Sequence, residues 1–395
     1  MKYLWIGILF GPELESIIKS KNVKLMSSYV SQKALIEGLD SLNVDMDSIN
    51  SIQLDPRIIK TVKQEAWTRN SISQDYSIGY KNIKFFNHFL RQKELVKAAK
   101  KWAHDNKGQE VMVVVFQMHS PFLKAALAVK KILPTSKITL IVPDLPQYMD
   151  LSMSALKKVL KRIDWYNIKK LIKKVDKYVL YAKPMSEFLK LDEDKWTVIE
   201  GIYDSKLVGS KTDRNDNKTV VMYSGVLDNN YGIPELLDSF DLLDDSFELW
   251  LTGDGNSLPL IEEKAKNDSR IHYFGYFSSR QELLDKQASA DILISPRKKE
   301  LISSKYCFPS KLFEYLASGN PVISCYLDGI PSEYYKYLIE LKEVSKECIA
   351  QTIVKVSKMN AYEKSKLKAS EILFVRSNKN KEIVAKKFLE FICND

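Results

Sequence analysis

Lys311 and Glu314 are polar residues that packing alone does not explain in the stretch 308–324, FPSKLFEYLASGNPVIS. The apolar residues around them recur at helical spacing, so two residues three positions apart share one helix face near its amino end. The positive end of a helix dipole, with a lysine beside it, favours a bound phosphate. An exposed Lys/Glu pair on a helix surface is the alternative interpretation.

The residues around this pair predict a helix followed by a buried strand. Pro309 suits the first helical turn, and Ser310 offers a hydroxyl at the amino end. Gly319 is expected to end the helix, and the next turn leads into the apolar residues 322–324. The strand would fix the helix against a sheet.

The chain from residue 219 onwards alternates strand and helix patterns. We predict strands at 219–224, 247–252, 271–274 and 291–295, with helices at 234–243 and 281–289. Parallel strands need crossover connections, so this part predicts a doubly wound parallel sheet. Glycines in the loops after these strands suit close backbone approach by a nucleotide: Gly225, Gly232, Gly253, Gly255 and Gly275. Arg297 follows the fourth strand, where an exposed surface arginine is the alternative.

A second set of strand patterns occupies the first half. Predicted strands are 3–10, 49–54, 111–116, 138–142, 178–181 and 196–199, and predicted helices include 89–103 and 122–131. Three residues follow these strands, where open α/β sheets place ligand contacts: Gly11, His119 and Asp144. A structural histidine and a turn-capping aspartate are the alternatives.

At 395 residues the chain exceeds one hydrophobic core. We therefore predict an α/β protein with two Rossmann-like domains facing a cleft. Residues 1–208 would form the first domain, the polar segment 209–218 a linker, and residues 219–376 the second domain. A last helix within 377–395 would cross back to the first domain.

Positive charge is concentrated in the first half. Residues 1–200 hold 33 Lys and Arg against 21 Asp and Glu, whereas the whole chain has a net charge of +10. Much of the excess lies at 157–177, where lysines alternate with apolar residues and Trp165 and Tyr166. This pattern fits an anionic membrane surface, with an ordinary core-facing helix as the alternative. No nucleic-acid-binding motif is present, and no apolar run approaches the roughly 20 residues of a membrane span. We expect a cytoplasmic protein on the inner face of the membrane.

The segments YSGVLDNNYGI, LTGDGN, ADILISPR and KYCFPSKLFEYLASGNPVI carry a family resemblance. The chain resembles family 4 glycosyltransferases of the GT-B fold, of the type that builds bacterial capsule, exopolysaccharide and other surface glycans. The resemblance implies that Glu314 accepts hydrogen bonds from the ribose of a nucleotide sugar. It also implies that the loop after residue 224 passes the diphosphate, that the backbone near Tyr276 borders the base, and that His119 contacts the donor sugar.

Three positions depart from the family pattern. Tyr306 stands where a glutamate is usual, and Val226 and Tyr231 stand where an arginine and a lysine are common. A diphosphate leaving group still needs positive charge, which Arg297 and Lys311 are positioned to supply. No Asp-x-Asp metal motif stands out near a strand end, because Asp244–Asp245 and Asp192–Asp194 fit turns or helix caps better. We therefore predict a metal-independent enzyme without cofactors.

The predicted function is retaining transfer of a hexose-type sugar, from a UDP-sugar in preference to other donors, to a polyprenyl-diphosphate-linked glycan. One alternative is an inactive glycosyltransferase-like subunit that scaffolds a partner, because charged residues are missing at three positions. A nucleotide-sugar epimerase of similar shape is another. It would need no basic membrane face, and its catalytic carboxylates are not evident at the strand ends.

Overall fold

The computed structural model describes residues 1–21, 27–84, 86–146, 155–203, 208–212, 214 and 217–394, with only the backbone at 27–28 and 155–160. The chain divides into two compact units. Unit 1 comprises Met1–Tyr181, Met185–Glu200 and Lys381–Asp395, and unit 2 comprises Ala182–Pro184 and Gly201–Asn380. Parts of the predicted linker 209–218 lie outside the described residues.

Unit 1 is built on an eight-stranded sheet with the order β10-β9-β8-β7-β1-β2-β5-β4. Its pairs are parallel except for β4 with β5, and β3 and β6 form a separate antiparallel ladder. The strands are β1 (Lys2–Gly7), β2 (Met46–Asn50), β3 (Thr61–Val62), β4 (Glu65–Trp67), β5 (Asp75–Ser77), β6 (Tyr80–Lys81), β7 (Val111–Phe116), β8 (Lys137–Val142), β9 (Lys177–Leu180) and β10 (Trp196–Val198). The helices are α1 (Pro12–Ser20), α2 (Ser27–Ser41), α3 (Asn87–Asp105), α4 (Ser120–Ile132), α5 (Ala155–Ile172), α6 (Pro184–Leu189) and, from the end of the chain, α14 (Lys381–Cys393).

Unit 2 contains a six-stranded parallel sheet with the order β13-β12-β11-β14-β15-β16. Its strands are β11 (Thr219–Val226), β12 (Phe247–Asp254), β13 (Ile271–Tyr273), β14 (Ile292–Ser295), β15 (Val322–Ser324) and β16 (Ile339–Glu340). Its helices are α7 (Ile233–Ser239), α8 (Leu258–Asn267), α9 (Arg280–Ser289), α10 (Ile302–Lys305), α11 (Lys311–Ser318), α12 (Lys346–Ser357) and α13 (Ala361–Asn378). Strand β11 lies between β12 and β14, so the loops that follow these three strands emerge side by side.

Buried apolar side chains explain both sheets. Val111–Phe116 is buried along its whole length, as expected for a parallel strand covered by helices on both faces. The core of unit 2 joins the strands to the apolar faces of α7, α11 and α12. The predicted fold class, two doubly wound α/β sheets, is confirmed.

The first predicted strand, 3–10, is three residues too long. Strand β1 ends at Gly7, because the next backbone amides turn to side chains: Ile8 N–H donates to Gln32 Oε1 at 3.1 Å and Leu9 N–H to Asn50 Oδ1 at 3.0 Å. Strand β2 likewise ends at Asn50, not at residue 54. Sequence periodicity marked these apolar residues as buried but not the side chains that compete for their backbone.

Candidate functional site

The loops after β11 and β12 approach each other at two glycines. Gly225 and Gly253 have φ angles of 132° and 131°, in the region that favours glycine. A Cβ atom at Gly253 would lie 1.8 Å from the Gly225 carbonyl oxygen, and one at Gly225 would lie 2.9 Å from Lys311 Nζ. Glycine at both positions therefore lets Lys311 reach the carboxyl edge of the sheet.

Lys311 begins α11 and is half-buried at this edge. Its Nζ lies 3.7 Å from the centroid of the Tyr223 ring, so the aromatic face supports the ammonium group. Burial lowers the pKa of Lys311 to about 7, assisted by the positive charge of Arg297 and opposed by Glu314. An anion bound here would stabilise the charged ammonium.

Arg297 follows β14 and supplies the second cation. Its Nε donates to Ser304 Oγ at 3.0 Å, and its guanidinium carbon lies 4.6 Å from the centroid of the Tyr231 ring. Tyr231 is one of the three departures from the family pattern. In this chain its ring holds a cation by stacking where a lysine is common, so positive charge remains at the edge.

Glu314 is oriented by two residues of α9. Arg280 Nη2 lies 3.0 Å from Glu314 Oε1, and Gln287 Nε2 donates to Glu314 Oε2 at 3.3 Å. The same Gln287 amide donates to Ser224 Oγ at 2.9 Å. Each carboxylate oxygen keeps acceptor capacity beyond these contacts, so Glu314 can still bind hydroxyl groups.

The other residues predicted in this half lie around the same loops. Gly232, with a φ of 78°, immediately precedes α7, and Ser310 is exposed before α11 without a side-chain capping bond. Tyr276 is exposed after β13. Beside it, Phe274 stacks against Phe277 with ring centroids 6.0 Å apart. The structure thus brings the predicted Lys311 and Arg297 together and leaves Ser310 outside their contacts.

His119 lies at the carboxyl end of β7 in unit 1, where it precedes α4. Its Nδ1 atom is buried and has no hydrogen-bond partner, and its ring meets that of His88 at 5.4 Å with an interplanar angle of 77°. Burial lowers the pKa of His119 well below its usual value, with Arg91 and His88 acting in the same direction. The imidazole is therefore neutral near pH 7 and offers a buried polar atom to a ligand.

Arg91 and His88 surround His119 from α3. Arg91 is buried, and its Nε donates to Ser51 Oγ at 2.8 Å. No carboxylate in the described part of the chain pairs with it. His88 Nε2 lies 3.1 Å from Ser120 Oγ, whose hydroxyl donates to Asp164 Oδ1 at 2.5 Å. Because Ser120 donates to Asp164, it accepts from His88, so His88 carries its proton on Nε2.

The two remaining predicted residues of unit 1 have close neighbours. Gly11 precedes α1, where the carboxylate of Glu65 accepts from the amides of Glu13 at 2.8 Å and Leu14 at 3.2 Å. The amino end of α1 beside Gly11 is thus occupied by a protein carboxylate. Asp144 lies in the bend after β8 and acts electrostatically on Tyr181, whose pKa burial raises to about 12.

Helix α5 holds the basic segment up to Ile172, whereas Lys173 and Lys174 lie in a turn and Lys177 begins β9. Ile168 and Ile172 face the core, whereas Ile163 and Tyr166 are exposed and Lys170 Nζ lies 4.3 Å above the Tyr166 ring. The side chains of Lys157 and Lys158 lie outside the described residues. No helix in the described part of the chain is long and apolar enough to cross a membrane.

Sequence reasoning missed five residues of these two clusters: Tyr223, Arg280, Gln287, His88 and Arg91. They come from strands and helices adjacent in space but distant in sequence, so spacing carries no signal for them. The pairs Asp244–Asp245 and Asp192–Asp194 were interpreted as turns or caps. The Ser246 amide donates to Asp244 Oδ1 in a turn, and Asp192 occupies the N-cap position of a short 3-10 helix without a side-chain capping bond. The predicted absence of a metal stays a prediction.

Residues 218–358 match the sequence profile of the family described as glycosyl transferases group 1. A comparison with curated proteins found no match. Sucrose-phosphate synthase from Thermosynechococcus elongatus is similar in structure, with a TM-score of 0.68 and 13% identity over 100% of this chain and 98% of that chain. HepE from Anabaena, in complex with UDP and glucose, gives a TM-score of 0.64 and 12% identity over 100% of both chains.

A third similar structure is the lipopolysaccharide outer core galactosyltransferase WaaB, with a TM-score of 0.62 and 15% identity over 100% of this chain and 99% of that chain. At these identities the structures establish the fold alone. The family match adds the enzyme class for unit 2. The chain is a glycosyltransferase of the GT-B type, as its sequence predicted.

Proposed function

We propose that this glycosyltransferase moves a hexose-type sugar from a nucleotide-sugar donor, with UDP-sugars favoured, to a lipid-linked glycan acceptor, with retention of configuration and without a metal. The observation that carries the proposal is the pair of cations, Lys311 and Arg297, at a glycine-lined sheet edge that also presents Glu314. HepE, which is similar in fold, was solved with UDP and glucose.

In this proposal the donor binds at the carboxyl edge of unit 2. Lys311 and Arg297 neutralise the diphosphate, and Glu314 accepts hydrogen bonds from the ribose hydroxyls. The loops at Gly225, Gly232 and Gly253 allow the backbone to approach the phosphates, and the base lies near Tyr276. Ser310 adds a hydroxyl at the amino end of α11.

The transfer step needs no carboxylate nucleophile. The acceptor hydroxyl oxygen attacks the anomeric carbon on the face from which the diphosphate departs, and the bond from that carbon to the phosphate oxygen breaks. The hydroxyl proton passes to the departing phosphate oxygen. Lys311 and Arg297 stabilise the negative charge that develops on the diphosphate, a task that a metal ion performs in other transferases. Neutral His119 donates a hydrogen bond to the donor sugar or accepts one from it.

The acceptor side is assigned to unit 1. Gly11 and Asp144 follow its central strands, and the basic residues 157–177 would face an anionic membrane that carries a polyprenyl-diphosphate-linked glycan. WaaB, a galactosyltransferase of the lipopolysaccharide outer core by name, supports a surface-glycan role through its similar fold. The protein would act in bacterial capsule or exopolysaccharide synthesis on the cytoplasmic face of the membrane.

Thermal stabilisation by UDP-, GDP- and dTDP-hexoses tests the donor site. We expect a UDP-sugar to raise the Tm of the wild-type protein, and Glu314→Ala and Lys311→Ala to remove most of that rise. Lys298→Ala is a matched control, because Lys298 follows Arg297 but pairs with Glu235 at 2.5 Å. Failure of every nucleotide sugar to stabilise the wild type, or equal stabilisation of the variants, would refute the site.

Hydrolysis of the bound donor separates an enzyme from a scaffolding subunit. The purified chain should release sugar slowly from its preferred donor, and Arg297→Met should abolish this release while the Tm of the free protein stays close to that of the wild type. Donor binding without any turnover, even with lipid-linked acceptors present, would favour the scaffolding role instead.

A further inference from the structure

Four large apolar side chains are exposed on neighbouring segments of unit 1 that the site leaves unused. Ile58, Ile83, Phe86 and Phe89 have exposures of 43%, 49%, 64% and 62%. Single exposed apolar residues are ordinary on a protein surface, but a group containing two phenylalanines is not. These four residues are called the Phe86 patch below.

Hydrogen bonds hold the patch residues on adjacent loops. The Asn82 side chain donates to the backbone carbonyls of Leu54 at 3.0 Å and Ile59 at 2.8 Å. The Asn82 backbone N–H donates to Lys60 O at 2.9 Å. The Phe86 amide donates to Ile83 O at 3.0 Å, immediately before α3 begins. Ile58 and Ile83 thus belong to joined segments. Phe86 occupies the N-cap position of α3, and Phe89 lies on its first turn.

Positive charge surrounds the patch. Arg57, Lys60, Lys81 and Lys84 are all exposed within the segments 55–60 and 81–84, which contain one carboxylate, Asp55. Asp55 is already paired with Arg57, at 2.6 Å. Exposed aromatic rings bordered by lysines are the combination that binds at the interface of an anionic membrane, where rings enter the headgroup region and lysines meet lipid phosphates.

We propose that the Phe86 patch, together with Arg57, Lys60, Lys81 and Lys84, is the surface by which this protein docks onto an anionic lipid membrane. A second copy of the chain is a poorer occupant, because a symmetric contact would place the same cations opposite each other. An anionic bilayer offers both an apolar layer for the rings and negative charge to balance the net positive charge that these segments keep beyond the Arg57–Asp55 pair.

The position of the patch suits a lipid-linked acceptor, and this step rests on the proposed function. Phe86 and Phe89 lie three residues apart on one face of α3, while His88 and Arg91 lie on the other face and approach His119. A membrane against the Phe86 patch would therefore lie one helix diameter from the proposed sugar contact, about 10 Å. A diphosphate-linked glycan in that membrane would reach His119 without leaving the lipid surface.

Helix α5 provides a matched comparison surface. It also exposes two apolar residues, Ile163 and Tyr166, beside lysines. In the proposed function the lysines of 157–177 attract the anionic membrane. The Phe86 patch adds the apolar side chains that enter it, a role that Ile163 and Tyr166 do not share. Two double variants of equal size test this division. None of the four substituted residues is buried, so both variants should fold.

The test is co-sedimentation with vesicles of phosphatidylcholine alone and of phosphatidylcholine with about 30% phosphatidylglycerol. We expect the wild type to bind only the anionic vesicles. Phe86→Ser/Phe89→Ser should lower the partition coefficient at least about tenfold, because two rings no longer enter the interface. Lys60→Gln and Lys81→Gln should each lower it about fivefold, and Ile163→Ser/Tyr166→Ser should leave it within about twofold of the wild type.

Several results would overturn the proposal: a wild type that ignores anionic vesicles, unchanged binding by the phenylalanine variant, or a loss in the α5 variant as large as that in the phenylalanine variant. A concentration-dependent dimer in sedimentation equilibrium that disappears in Phe86→Ser/Phe89→Ser would assign the patch to self-association. Donor binding is measured in a separate experiment. The Phe86→Ser/Phe89→Ser variant should show the same rise in Tm with a nucleotide sugar as the wild type. Vesicle binding without any such rise in the wild type would reject the proposed function and leave the docking surface standing.

Discussion

The two units place different chemistry at equivalent edges of their sheets. In unit 2 the loops after β11 and β14 are lined by cations that rest on tyrosine rings, Lys311 on Tyr223 and Arg297 on Tyr231. In unit 1 the loop after β7 presents the neutral imidazole of His119, with a buried arginine behind it. The edge in unit 2 is suited to an anion, and the edge in unit 1 to hydroxyl groups. A shared architecture therefore does not fix what each edge binds.

The strongest test of this contrast is the removal of one cation from unit 2. Lys311→Met should lower kcat/KM for the donor by about 100- to 1000-fold, the loss usual for a preorganised group that stabilises developing charge. Steady-state kinetics with the preferred donor measures it, with Lys298→Met as the control. A loss under threefold would mean that the edge of unit 2 does not handle the diphosphate.

The pH dependence of donor binding sharpens the same assignment. Burial holds the pKa of Lys311 at about 7, below its value in the unfolded chain. A bound diphosphate would raise this pKa, so Lys311 would take up a proton when the donor binds. Affinity for a UDP-sugar should be flat below about pH 7 and fall by up to about tenfold per pH unit above it. Calorimetry in two buffers of different ionisation enthalpy measures the proton uptake directly.

A titrating residue other than Lys311 would produce the same curve. Lys311→Met should therefore bind the donor weakly but with no pH dependence in this range. If the variant keeps the slope of the wild type, Lys311 does not contact the diphosphate. The free protein provides a second check, because the depressed pKa makes its free energy of unfolding rise with pH between about 7 and 10.

The neutral character of unit 1 is tested at His119. Burial holds the pKa of His119 well below the usual value of a histidine, so NMR signals of the imidazole should show no titration near neutral pH. His119→Gln, which keeps a neutral hydrogen-bonding group, should reduce kcat/KM by only about tenfold, and His119→Leu by more. An imidazole that titrates near pH 6.5 would erase the contrast between the two edges.

The smallest effect is expected at the residues that orient Glu314. Arg280→Gln should raise the donor Kd about threefold to tenfold, because the carboxylate loses a charged partner at 3.0 Å and becomes less ordered. Arg280→Lys should recover part of the affinity, since a positive charge remains. Lys264→Gln, which removes an exposed ion pair elsewhere in unit 2, is the control. An unchanged Kd in Arg280→Gln would make the Arg280 contact incidental.

The repeated strand and helix patterns allowed much of the fold to be predicted. Strand β7 was predicted at its observed bounds, and α11 ends at Gly319, whose φ of 70° is the left-handed conformation expected of a helix-ending glycine. Prediction was poorest in the region 25–110, where several short strands pair by contacts that have no periodic signature. Helix α13 was also missed, although Asn360 and Glu363 form a capping box before it.

The sequence by itself determined the two-sheet architecture and the enzyme class, and it singled out Lys311, Arg297 and Glu314 as candidates, because periodicity and short motifs are local properties. Only the tertiary structure decided how these groups are held: tyrosine rings beneath the cations, Arg280 and Gln287 on the carboxylate, and Arg91 behind His119. Those neighbours come from elements remote in sequence, and their effect on pKa depends on burial and distance.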